Sequence, residues 1–153
     1  MTADLPDAGD LEPLVGSCTV EAQFPEPGPG VVRGRTTLEW LFGRRYVLQR
    51  SETDHPDAPD SSSILAPDPA RPNGYRQHYF DSRGVVRLYE MTFDGRTWTL
   101  TRRTPDFSPL DFAQRFTADL GNGGDTLSGA WYTAPAGSND WRLDFRLTYR
   151  RTG

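Results

Sequence analysis

From Thr19 onward, apolar and polar residues alternate with a period of two in short runs broken by Gly, Asp, Asn and Pro. No window of helical length repeats its apolar positions at three and four, so the pattern predicts antiparallel β-structure throughout. Strands are expected over about 17–24, 31–40, 45–51 and 62–66. They continue over Tyr75 to Asp81, Val85 to Phe93, Thr97 to Arg103, Phe112 to Leu120, Thr126 to Thr133 and Trp141 to Arg150. Asp94-Gly95 between two alternating runs is the sharpest hairpin signal, because that pair accepts the positive φ of a tight β-turn. The run from Pro25 to Gly30 cannot continue a ladder, since proline lacks the backbone donor. In the final strand Trp141, Leu143, Phe145, Leu147 and Tyr149 share one face, opposite Arg142, Asp144, Arg146 and Arg150. Nine or ten strands with short connections must close or split, because an open sheet of that size leaves bare edges. The expectation is an all-β, single antiparallel up-and-down β-barrel of nine to ten strands, calycin/lipocalin-like. Residues 1–12 read as a flexible acidic leader and 13–151 as the barrel domain, with Leu11, Leu14 and Val15 able to plug or abut its core.

Composition narrows the chemistry. The 153 residues include 15 glycines and 13 prolines, a turn-rich set sized for one core. All 17 basic residues are arginine, against 21 acidic ones, for a net charge of -4. That balance argues against nucleic acid as partner, and the lack of lysine excludes a Schiff-base or Walker lysine. One cysteine and two histidines exclude a disulfide framework and a cysteine-rich metal cluster. Cys18 reads as a free, buried thiol. No run approaches a membrane span and the acidic start is unlike a secretory signal, so no membrane partner and a cytoplasmic location are expected.

The order of several motifs carries a resemblance. Leu14 and Gly16 open the first strand, Glu39-Trp40 precedes Gly43, and His78-Tyr79-Phe80-Asp81 is followed by Gly84, Arg87 and Tyr89. Asp94-Gly95 with Trp98, Arg115-Phe116, Gly129 and Trp141 complete the series. From Leu14 to Arg150 the chain resembles a bacterial lipocalin-like small-barrel family of unknown function in the calycin group, distantly related to the nitrobindin-type haem barrels. The resemblance implies a barrel and, at most, binding of a small hydrophobic molecule. Gly16-Ser17-Cys18 departs from the glycine-rich pattern of the haem relatives, and no histidine follows His78 to serve as axial ligand. No cofactor and no metal are therefore expected.

The candidate ligand-binding residues are Tyr46, His78, Glu90, Arg102, Trp98 and Trp40. Aromatic side chains would supply apolar contact, and one or two of Arg102, Glu90, His78 and Tyr46 would orient the ligand. Parity does not choose the inner face of the Val85 to Phe93 strand: Arg87, Tyr89, Met91 and Phe93 lie on one side, Val86, Leu88, Glu90 and Thr92 on the other. Glu90 is either a polar group in the cavity or half of a sheet ion pair. His55, in a proline-rich loop, reads as a solvated turn. The leading expectation is a barrel binding a small hydrophobic or amphipathic molecule, as monomer or homodimer. One alternative is an enzyme on the same barrel, performing proton transfer, isomerisation or cyclisation with Glu90 or His78 as base. The other is a structural protein with a filled interior.

Overall fold

A computed structural model describes residues 7–107 and 109–152. Ten strands form one closed antiparallel barrel: β1 (Gly16–Gln23), β2 (Val31–Leu41), β3 (Tyr46–Thr53), β4 (Ser61–Pro67), β5 (Gly74–Asp81), β6 (Val86–Phe93), β7 (Thr97–Arg102), β8 (Phe112–Leu120), β9 (Thr126–Pro135) and β10 (Arg142–Arg151). Each strand pairs with its sequence neighbours, and β1 pairs with β10 to complete the circle. The architecture is the up-and-down barrel expected from the alternation. At the Asp94-Gly95 hairpin, Gly95 takes φ 97° while the Asp94 carboxylate accepts from the backbone N–H of Arg96 and Thr97.

Because directly opposed residues share a face, the register fixes what points inward. Val20 opposes Gly34, Gln49 opposes Ser63, Tyr79 opposes Arg87, and Phe116 opposes Trp131. Three layers follow along the barrel axis. At one end Leu38, Val47, Leu65, Met91, Phe93, Trp98 and Leu100 form a dry core. Above it, on β2 to β5, lies a buried polar layer of Thr36, Gln49, Ser63 and Gln77. Gln77 Nε2 donates to Gln49 Oε1 at 3.4 Å and Ser63 Oγ at 3.3 Å, and Gln49 Nε2 donates to Thr36 Oγ1 at 3.3 Å. Beyond that layer the barrel is open.

The dry end is stoppered by a 3₁₀ helix, Gly9–Leu14, whose Leu11 and Leu14 enter the core with Ala8. Arg44 fastens it, donating to Gly9 O and Glu12 Oε2. Of the leader expected over 1–12, residues 1–6 lie outside the described residues. The remainder is a plug rather than a frayed tail, because Ala8 and Leu11 are fully buried.

Two local features depart from simple alternation. In β10, Leu143 opposes Tyr132 and Phe145 opposes Trp131, so Asp144 is an extra residue in a bulge. The single apolar face expected from Trp141 to Tyr149 is therefore broken: Phe145 aligns with inward Trp131, whereas Leu143 shares the outward face of Tyr132. Trp141 stacks outside, with the guanidinium carbons of Arg115 and Arg103 at 4.6 and 5.0 Å from its ring. The second feature is a short seam. The β6–β7 ladder runs only from Phe93↔Trp98 to Glu90↔Thr101. Toward the open end Asp106 replaces it, accepting from Leu88 N at 2.8 Å, Arg102 Nε at 2.8 Å and Arg102 Nη2 at 2.9 Å.

Candidate functional site

The open end leads into a cavity of about 870 Å³. One wall is apolar, built by Val20, Ala22, Trp131, Phe145, Leu147 and Tyr149 from β1, β9 and β10. These strands supply it because their inward positions carry small residues on β1 and large ones on β9 and β10, and Phe24 stacks on Phe145 at 4.5 Å above them. Gly129, next to Trp131's inward position, has no room for a side chain: a Cβ there would lie 2.2 Å from Thr117 O. The facing wall is more polar, with Ser51, Ser61, Tyr79, Arg87, Tyr89 and Gln114. The β1–β2, β3–β4 and β5–β6 turns form the rim through Pro29, His55, Asp57, Ala58, Pro59 and Arg83.

An aromatic cluster ties the two walls. Tyr89 meets Trp131 edge-on at 5.5 Å and Tyr79 at 6.2 Å. The Tyr89 hydroxyl donates to Gln114 Oε1 at 3.0 Å, and the Tyr79 hydroxyl donates to Asp81 Oδ2 at 2.8 Å. Burial raises the pKa of both phenols, as it does that of Tyr149, so all three remain neutral donors at physiological pH. Asp81 is saturated. Burial alone would raise its pKa, but hydrogen bonds from Arg83 and Tyr79 and from the backbone N–H of Arg83 and Val85 outweigh that and hold it below the usual carboxylate range. Asp144, turned by the bulge, also borders the cavity, and desolvation raises its pKa. Burial raises the pKa of the Cys18 thiol, against a smaller opposing influence of Arg151, so it is no ready nucleophile.

None of the six residues singled out from the sequence lines this cavity. Tyr46 is on the outer face, edge-on to Phe42. His78 and Glu90 also face outward, His78 opposite Ile64 and Leu88, Glu90 opposite Arg76 and Thr101. A base in the lumen therefore cannot come from either of them, and the enzyme reading loses the residues it named. Trp98, 1% exposed, is part of the dry core, and Trp40 lies at that same end under the Arg44 guanidinium. Arg102 does point inward but is 4% exposed and committed to Asp106 and Pro109 O. The residues that do line the cavity include Arg87 and Gln114, which pattern reading missed. A signal existed for Arg87: it shares a face with three bulky residues, Tyr89, Met91 and Phe93, whereas the other face carries Glu90 and Thr92. Gln114 carried a signal of the same kind, sharing a face with Phe112, Phe116, Ala118 and Leu120 opposite Arg115, Thr117 and Asp119.

Most other arginines sit outside with acidic partners. Arg35 pairs with Glu52 and Asp54, Arg33 with Glu21, and Arg50 with Glu39. Among the described residues no group of three or more metal-ligating side chains occurs, and no helix is long and apolar enough to cross a membrane.

The fold itself has a solved counterpart. Over 98% of its length the chain superposes on 100% of Rv2717c from M. tuberculosis, known from its crystal structure, with a TM-score of 0.72 and 16% sequence identity. A likeness at that identity concerns the barrel alone. No protein-family model and no curated protein matches the chain.

Proposed function

We propose that this protein binds a small hydrophobic or amphipathic molecule inside the barrel. The observation that carries this reading is the open cavity of about 870 Å³, walled by aromatic and aliphatic side chains with a few convergent polar groups. Specific ligand sites span roughly 300–1,000 Å³ and have this mixed lining. A structural barrel would have filled that space with its own side chains. We extend this to a place near the lipocalin-like calycin barrels, with the nitrobindin type as a distant relative; the closed ten-strand barrel and the motif order from Leu14 to Arg150 are what support it.

The test uses N-phenyl-1-naphthylamine, an uncharged probe that fluoresces in apolar sites. Wild type should bind it at micromolar concentration. Ala22→Trp, which fills the apolar wall, should abolish the signal while circular dichroism remains that of a folded β-protein. Failure of folded wild type to bind the probe, or binding that Ala22→Trp leaves intact, would overturn the reading.

A further inference from the structure

We infer that the lumen is built for an amphipathic anion, its apolar body against Trp131, Phe145 and Leu147 and a compact oxyanion, such as a carboxylate, paired with the Arg87 guanidinium. This rests on the ligand-binding reading above and adds the charge and polarity of what is bound.

Arg87 opposes Tyr79 across β5–β6 and alternates with Tyr89 and Met91, so it faces the lumen rather than the solvated outer surface. It is half-buried, lies beside the Tyr89 hydroxyl, and has its guanidinium carbon 5.8 Å from the Phe112 ring centre. Among the described residues Arg87 has no carboxylate within ion-pairing distance, unlike Arg33, Arg35, Arg50, Arg83 and Arg102. Two acids on neighbouring elements are already engaged, and neither Asp57 at the rim nor Asp111 beside Phe112 forms an ion pair with Arg87. Asp81 accepts from Arg83, Tyr79 and two backbone amides, and Asp106 accepts from Arg102 and Leu88. Glu52, at the rim, pairs with Arg35. Asp144 belongs to β10, with β7, β8 and β9 between it and Arg87 around the wall.

A cation held against aromatic walls without a protein counter-ion is expensive once water leaves, and an incoming oxyanion relieves that cost. The planar guanidinium presents paired donors that fit a carboxylate in two parallel hydrogen bonds. Tyr89, fixed by Gln114, holds the wall beside it.

Two probes of similar shape separate charge from apolar fit: 8-anilinonaphthalene-1-sulfonate carries an oxyanion, and N-phenyl-1-naphthylamine lacks it. Arg87→Gln should weaken the sulfonate probe about ten- to a hundred-fold, the range of a charge-assisted hydrogen bond, and leave the neutral probe within about two-fold. Arg87→Lys should fall between, keeping the charge without the fork. Arg50→Gln, an equal charge change on the outer face, should move neither. If wild type binds the neutral probe but not the sulfonate, or if Arg87→Gln weakens both equally or neither, the anion inference is overturned while the cavity reading stands. If folded wild type fails to bind the neutral probe, the cavity reading itself fails.

Discussion

At position 144 one extra residue in β10 turns a carboxylate toward the cavity, where desolvation raises its pKa. The folded state therefore holds that proton more tightly than the unfolded chain does. Its contribution to stability is present at acid pH and is lost as pH rises from the unfolded value of about 4 through the raised one. At neutral pH the ionised group is a net cost. Asp144→Asn should accordingly raise Tm slightly at pH 7 and leave it unchanged at pH 3, as followed by calorimetry; equal shifts at both pH values would mean that charge is not the cause. Single residues were the hardest scale to read from sequence. His78 and Glu90 drew attention because imidazole and carboxylate carry chemistry, yet one step of strand parity puts them outside and Arg87 inside. The bulge that exposes Asp144 leaves no mark in the alternation, since Leu143 and Phe145 still look like one face.

At the scale of elements, the strands were legible because each buries one side, and period-two alternation is the direct imprint of that burial. The turns were legible too, through Asp94-Gly95 and the Pro25 to Gly30 run. What the pattern did not show was where ladders stop. Between β6 and β7 pairing ends at Glu90↔Thr101, and the Arg102–Asp106 pair, with both side chains under a tenth exposed, fastens the opening. Removing one member of such a pair strands the other charge, at a cost of about 3–5 kcal/mol. Asp106→Ala should therefore destabilise by that amount in urea titrations, and the Leu88 amide should lose its hydrogen-exchange protection first. Adding Arg102→Met should restore part of the stability; no recovery would mean that the backbone bond, not the stranded guanidinium, dominates.

For the whole molecule, closure depends on a plug as well as on strands. Leu11, fully buried, comes from the segment that its acidity marked as a leader. Its hydrophobicity was visible, but which end of the barrel needed it was not, because that is a property of the closed sheet. Leu11→Ala should cost about 2–5 kcal/mol, as for other buried leucines, measured by denaturant unfolding. A loss under 1 kcal/mol would assign the plug a minor part in stability. The buried layer of Thr36, Gln49, Ser63 and Gln77 sits one inward position below the cavity-lining Gly34, Ser51, Ser61 and Tyr79, and its hydrogen bonds make it a floor that an alkyl chain cannot displace cheaply. Such a floor is a ruler. Along a homologous series of straight-chain carboxylates, affinity should climb by about 0.8 kcal/mol per methylene, then level off at the length that touches the glutamines. Isothermal titration would locate that break, and Gln49→Ala combined with Gln77→Ala should move it to longer chains.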